Sequence, residues 1–369
     1  MKKLIKPNYK KCILNISASI AEYLGSPNKN ATLPKLNREL KKGYKNIVFI
    51  CFDGLGMYPI KKNLEKTDFL RKNIKQELLS TFPSTTTNAT TSLMFNKLPL
   101  EHGWFGWSMN FPNINRNVDI YLNKDSWTHE KIHVENTPLS KIDYYFDHTN
   151  CDYSINTIFP SYIKVNKPEN NIVFDTMNDF FNQIINVCNR DNKQFVYAYY
   201  PEPDAAMHEN GVTNEKSKQI IQSISDNCKK LYNSTNNTLF IITADHGQID
   251  ITEYVELYKD EKLMEMLEIY PYMEVRASAF KVKTDKRQEF EKYFKSKYGK
   301  DFKLYKSKYL IDKGYFGKCG DKGELLGDYI SIGKYNNKFC LLTDSYPRFK
   351  GHHTSLTEEM EVPLIIIKN

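Results

Sequence analysis

The sequence predicts an α/β fold: a largely parallel sheet flanked by helices, with a smaller cap or insertion region beside it. Three observations predict it. Short apolar runs recur along the chain, each closed by turn chemistry, as in strands covered on both faces. Stretches of helical period lie between them, and strands alternating with helices make parallel sheets. Two longer stretches break the rhythm and read as the cap.

The elements follow in chain order. The opening "MKKLIKPNYKKCILNISASIAEYLG" is basic but lacks the unbroken apolar core and small-residue cleavage site of a signal peptide. Its "ILNISASIAEYL" reads as an amphipathic helix, so residues 1–44 are expected to be a helical extension packed on the body. Residues 45–369 are expected to form the main domain. "NIVFICFDG" (46–54) reads as its first strand, and 87–95 as a helix. Residues 104–170, rich in Asn, aromatics and Pro, are read as one insertion. "QFVYAYYPEPD" (194–204) is a second strand. In 215–232, Ile220, Ile221, Ile224, Cys228, Leu231 and Tyr232 share one helical stripe. "TLFIITADHG" (238–247) is a third strand. Residues 270–340, with a strand-like "ASAFKVK" and a helix over 285–298, are read as a second insertion, and "EVPLIIIKN" as the last strand.

Composition narrows the class. The chain has 369 residues, 40% hydrophobic and 26% charged, as in a soluble globular protein. No apolar run is long enough to span a bilayer. The net charge of +8 comes from Lys mixed with Asp and Glu along the whole chain, which disfavours a nucleic-acid footprint yet suits phosphate-bearing substrates. Seven scattered cysteines show no CxxC pair or disulfide framework, so a reducing cytoplasm is expected.

The strand ends carry the chemistry. The first ends at Asp53, the second runs to Asp204, and the third ends at Asp245 and His246. In open α/β sheets, ligand sites lie beyond the carboxyl ends of the strands. Carboxylates gathered there repel one another unless a cation neutralises them. In "PEPDAAMHENG", a helix starting after Pro203 would place Asp204 and His208 on one face, able to hold one metal. Alone, that pair reads equally as an acidic helix start with a surface His, and "FDG" or "DHG" as turn chemistry. Their conjunction at three strand ends argues for metal. "HHTSL" adds His352 and His353 before the last strand, whereas His129, His133 and His148 read as surface residues.

A nucleophile is expected in "STFPSTTTNATTSL", where hydroxyls crowd a helix start. Free backbone N–H groups there suit a phosphate, and an adjacent metal would activate a hydroxyl. N-capping explains the same residues, and chemistry alone leaves Thr81, Ser84, Thr85, Thr86 and Thr87 open. The backbone N–H of Thr87 would steady a developing oxyanion. Trp104, Trp107 and Phe159 could stack on a nucleobase, although a cap's own small core is the stronger reading.

In order, "IVFICFDGLG", "FPSTTTNATTSLMFNKLPLEHGWFGW", "YYPEPDAAMHENG", "LFIITADHGQ" and "GHHTSLTEEMEVPLIII" resemble the alkaline phosphatase superfamily, most nearly its bacterial type I phosphodiesterase/nucleotide pyrophosphatase family. The resemblance covers about residues 45–369 and implies an alkaline-phosphatase-like catalytic domain with two divalent metals, usually zinc, with manganese an alternative. It implies Asp53, Asp245 and His246 for one metal and Asp204, His208 and His353 for the other. His353 is preferred to His352 because it directly precedes Thr354, Ser355 and Leu356. Thr86 matches the nucleophile and would also touch the Asp53/Asp245/His246 metal. The implied activity is hydrolysis of a phosphodiester or pyrophosphate bond through a phospho-threonine-type intermediate. The expected partner is a small phosphoester, a nucleotide among the candidates. Phosphomonoesterase, phosphonate hydrolase and phosphomutase share the scaffold, a non-catalytic metal-binding protein is the alternative of a different class, and a homodimer is left open.

The sequence departs from the family in two places. Thr354-Ser355 stands where many members have Gly-Gly, and Trp107 where relatives of the animal enzymes place an oxyanion-binding Asn. Asn110 is the nearby substitute. The CxPSR signature of sulfatases is absent.

Overall fold

Asn46–Phe52 is buried at every position and pairs in parallel with a strand on each side, Gln194–Tyr200 and Thr238–Thr243. Those two strands are also buried throughout. Burial on both faces removes any alternation from the sequence and leaves continuous apolar runs. The computed structural model describes residues 2–132, 143–163 and 171–369, and His133 lies outside them.

Among the described residues the central sheet has seven strands. Their order is Ile74–Leu79, Glu361–Lys368, Thr238–Thr243, Asn46–Phe52, Gln194–Tyr200, Ser154–Pro160, Asn171–Phe174. The last five are mutually parallel. Glu361–Lys368 runs antiparallel to both of its neighbours. The fold is therefore the expected α/β class, and all four expected strands lie in this sheet. Register matters for function. Phe52 lies opposite Tyr200 and Cys51 opposite Thr243, so the chain after each strand emerges at one edge.

The stripe at 220–232 belongs to the helix Glu215–Asn233. Ile221, Ile224, Cys228 and Leu231 are buried, with Ile220 and Tyr232 packed at its margin. Asn214 starts it by accepting the N–H of Lys216 at 2.9 Å. The helix expected over 87–95 spans Thr86–Phe95, and that expected over 285–298 spans Arg287–Tyr298 behind a 3-10 turn. Near the N-terminus, Leu14–Tyr23 is buried from Leu14 to Ala21. Ser17 Oγ donates to the Leu93 carbonyl at 2.7 Å, tying this helix to Thr86–Phe95.

The two stretches read as insertions are rearranged in space. Ser108–Phe111, Arg116–Asp119 and Lys124–Asp125 join Tyr272–Glu274, Ala277–Phe280, Tyr329–Gly333 and Phe302–Lys306 in one second sheet. The seam is the pairing of Met273 with Ser108. The first insertion also ends earlier than 170, because Ser154–Pro160 belongs to the central sheet. That strand escapes a search for apolar runs because its middle is polar yet buried: Asn156 Nδ2 donates to Gln194 Oε1 at 3.0 Å instead of to water.

Candidate active site

Three loops leave the carboxyl edge of the central sheet and bind one another. Asp53 N–H donates to the Tyr200 carbonyl at 2.9 Å, and Asp204 N–H to the Asp53 carbonyl at 3.1 Å. Gly54 N–H donates to Asp245 Oδ1 at 3.1 Å. Gly54 is required here: its φ is +71°, and a Cβ on it would stand 2.9 Å from Asp204 Oδ1.

Asp204 opens the short helix Asp204–Asn210, which meets the condition for Asp204 and His208 to share one face. His208 comes one turn later, with Nε2 at 3.2 Å from Asp204 Oδ2. Its Nδ1 lies 2.8 Å from the Gly351 carbonyl, which fixes the proton there and leaves Nε2 facing Asp204. His353 Nε2 is 3.9 Å from the other oxygen of Asp204, and its Nδ1 is held by the Ser84 carbonyl at 3.1 Å. His246 Nε2 is 3.2 Å from Asp53 Oδ1 and 3.4 Å from Asp245 Oδ2. Thr86 Oγ1 completes the group, 3.4 Å from both Asp53 carboxylate oxygens and 3.2 Å from His246 Nε2. The seven residues Asp53, Thr86, Asp204, His208, Asp245, His246 and His353 thus meet in one place.

The electrostatics ask for cations. Burial raises Asp245 well above the usual carboxylate range, and the charge of Asp53 adds to it. Burial opposes the charged form of His246, but Asp245 and Asp53 outweigh it and raise its pKa to about 10. Asp245 Oδ2 is buried without a hydrogen-bond donor. A buried carboxylate oxygen left in this way is unusual in a native fold, and a metal ion satisfies it. Two groups of ligand atoms lie within 4.8 Å of one another among the described residues: Asp53, Asp245 and His246, and Asp204, His246 and His353. The residues therefore fit divalent metal. The second group differs from the expected set, because His208 faces Oδ2 of Asp204 while His353 faces Oδ1.

Three further histidines lie outside this group. His352 Nδ1 accepts the His353 N–H at 2.9 Å, and its ring packs 5.3 Å from Phe339. His148 is exposed and pairs with Asp143 at 2.6 Å. His129 stands in the turn after Asp125.

The substrate side is mixed. Trp104 and Trp107 pack around Tyr121, at 5.9 Å and 6.2 Å, and Tyr121 OH lies 3.2 Å from Thr90 on the Thr86–Phe95 helix. Phe159 is buried against Tyr197 and Tyr199 and belongs to the core. Asn110 donates to Arg116 O at 3.3 Å and Asn117 Oδ1 at 3.0 Å, so its amide N–H groups are taken up inside its own hairpin.

Three residues escaped the sequence reading. Tyr199 OH donates to Asp53 Oδ2 and Gln248 Nε2 to Asp204 Oδ1. Glu274 is buried and accepts from Thr85 Oγ1 at 2.6 Å and from Trp107 N–H at 2.8 Å, and burial pushes its pKa up to about 7. Gln248 carried a signal, two residues beyond His246. Tyr199 and Glu274 carried none, because each reads as one more strand residue.

A hydroxyl at a helix start, beside buried acids and imidazoles on the edge of an α/β sheet, is the equipment of a phosphoric ester hydrolase. Comparison with known proteins agrees. Residues 47–339 match the family described as type I phosphodiesterase/nucleotide pyrophosphatase, and the chain belongs to that family. Murine ectonucleotide pyrophosphatase/phosphodiesterase 5 shares the fold with a TM-score of 0.65 at 15% identity, over 88% of each chain. An inactive threonine-to-alanine variant of that murine protein, in complex with AMP, gives a TM-score of 0.63 at 17% identity over 87% of each chain. Phosphonoacetate hydrolase from Sinorhizobium meliloti 1021, in complex with phosphonoacetate, gives 0.62 at 13% identity, over 87% of this chain and 89% of that one. No curated protein sequence matches the chain. Among the described residues no helix is long and apolar enough to cross a membrane.

Proposed function

We propose that this enzyme is a two-metal phosphodiesterase/nucleotide pyrophosphatase that uses Thr86 as its nucleophile. The observation that carries the reading is the position of Thr86 Oγ1, partly exposed at a helix start, 3.2 Å from His246 and 3.4 Å from Asp53. Asp53, Asp245 and His246 would hold one ion and Asp204, His208 and His353 the other, with zinc the ion that suits mixed carboxylate and imidazole ligands. Bound there, such ions lower the pKa of a neighbouring hydroxyl and neutralise the charge of a phosphoryl group.

The chain's own groups do the rest. Thr86 Oγ1 attacks phosphorus in line, its bond to phosphorus forms, and the bond to the leaving alcohol or phosphate breaks. The hydroxyl proton is lost to solvent as the oxygen attacks, the departing oxygen takes up a proton from solvent where it needs one, and water then hydrolyses the phospho- or nucleotidyl-threonine, returning a proton to Thr86 Oγ1. The N–H of Thr87, which has no acceptor among the described residues, would stabilise the developing negative oxygen. Trp104, Trp107 and Tyr121 offer an aromatic wall beside the nucleophile's helix. The AMP complex of the inactive murine variant supports both a threonine nucleophile and a nucleotide-type substrate.

The test compares the p-nitrophenyl ester of thymidine monophosphate with p-nitrophenyl phosphate, with zinc and after chelation. Faster diester cleavage, lost on chelation, is expected. Faster monoester cleavage would move the protein to the phosphatase branch of the same scaffold.

A further inference from the structure

Thr85 is the N-cap of the helix that carries Thr86, with extended backbone angles of φ −138° and ψ 152°. A threonine in this position ordinarily turns its oxygen over the first turn and accepts a backbone N–H. Thr176 does so in this same chain. With nearly the same angles, φ −129° and ψ 161°, it accepts the N–H of Asp179 at 3.1 Å. Thr85 makes no such bond. Its hydroxyl instead donates to Glu274 Oε1 at 2.6 Å.

Glu274 is brought there by the second sheet. It closes the hairpin between Tyr272–Glu274 and Ala277–Phe280, pairing with Ala277, and it is 3% exposed. The Trp107 N–H donates to the same oxygen at 2.8 Å and fixes its direction. On the helix, neither the Thr87 N–H nor the Asn88 N–H has an acceptor among the described residues. Those are the donors that a capping hydroxyl would occupy.

We propose that Glu274 is a positioning residue: it holds the Thr85 hydroxyl off the helix start, so that the N–H groups of Thr87 and Asn88 stay free for a phosphoryl oxygen. This rests on the reading of Thr86 as nucleophile. A buried carboxyl group held, among the described residues, only by the Thr85 hydroxyl and the Trp107 N–H is costly on its own, and keeping an anion site uncapped gives it a purpose. Without Glu274, Thr85 falls back into the role that Thr176 plays.

The test measures kcat and KM of the zinc-loaded enzyme on the thymidine ester, for Thr86→Ala, Glu274→Ala, Glu274→Gln, Thr85→Val and the Glu274→Ala/Thr85→Val double variant, with thermal unfolding as a control. Loss of a transition-state donor costs on the order of 10²-fold in kcat, and that is the fall expected of Glu274→Ala. Glu274→Gln, which keeps both acceptor contacts, is expected within about threefold of the parent. Valine cannot cap, so Thr85→Val alone is expected to keep its kcat within about threefold, and in the double variant to regain at least about tenfold over Glu274→Ala. No recovery in the double variant, or a Thr85→Val loss as large as that of Glu274→Ala, overturns the proposal and leaves the bond a structural tether. Should Glu274→Ala fail to fold, Thr85→Val decides alone. An active Thr86→Ala would overturn the nucleophile reading and this proposal together. An inactive Thr86→Ala with no recovery in the double variant sinks only this one.

Discussion

Arg276 Nε donates to Glu359 Oε1 at 2.6 Å, with both side chains wholly buried. Arg276 sits in the hairpin turn of the second sheet, and Glu359 in the segment before the last strand of the central one. The pair therefore links the two sheets. The Glu359 carbonyl accepts the N–H of Gly247 at 2.7 Å, so the link reaches the loop that carries Asp245 and His246. Burial raises the pKa of Glu359, and Arg276 opposes that shift.

Breaking this pair leaves an uncompensated buried charge. Arg276→Met is expected to destabilise the fold by about 3–5 kcal/mol, read from urea unfolding. Adding Glu359→Leu should recover much of the loss, since apolar replacement of both partners of a buried pair is often neutral. A single variant as stable as the parent would show that the link carries no weight.

Thr86→Ala should abolish turnover while metal content, read by elemental analysis, stays at the parent level. Asp245→Asn and His208→Ala should lose metal and activity together, because each removes one of three proposed ligands. Unchanged metal in both variants would refute the ligand scheme, and retained turnover would remove Thr86 from the mechanism.

Tyr199 OH donates to the Asp53 oxygen that faces away from His246. Partners of this kind orient a ligand, and their loss typically costs 10–100-fold in metal affinity or activity. Tyr199→Phe is expected in that range in a competitive chelator titration. The same affinity as the parent would make the hydroxyl a mere solvating group.

His102 is fully buried, with Nδ1 accepting the Trp104 N–H at 3.0 Å and Nε2 at 2.9 Å from Ser92 Oγ. The proton therefore sits on Nε2. Burial holds its pKa down at about 3 in the folded chain. An unfolded histidine titrates near 6.5, so the stability due to the neutral ring is complete above that pH. It is lost as pH falls towards the folded value, by roughly 1.4 kcal/mol per unit. The expected outcome is that His102→Gln flattens the unfolding free energy between about pH 6 and 4 relative to the parent. Parallel pH profiles for parent and variant would show that the imidazole takes up its proton equally in the folded and unfolded states.

Much of this was legible in the chain for physical reasons. Asn46–Phe52 and Thr238–Thr243 announce themselves because a strand buried on both faces must be apolar throughout. Asp53, Asp204, Asp245 and His246 stand out because acids have no business at the end of a core strand unless something binds there. The spacing of Asp204 and His208 gave only a condition, that a helix after Pro203 would put both on one face, and the helix Asp204–Asn210 meets it. Ser154–Pro160 was not legible, because Asn156 and Thr157 are satisfied by partners more than ten residues away in the chain.

The sequence by itself determined the fold class, the strands that deliver the acids, and the residue types that meet at the sheet edge, because hydrophobic period and turn chemistry are local properties. Tertiary structure alone decided that residues 108–125 and 272–333 form one sheet, since the pairing of Met273 with Ser108 spans most of the cap. It alone decided that His208 and His353 take opposite oxygens of Asp204. And it alone decided that Thr85, a capping residue by every local rule, gives its hydroxyl to Glu274. Hydrogen bonds between distant segments leave no period in a sequence, and in this protein they determine which donors the substrate finds free.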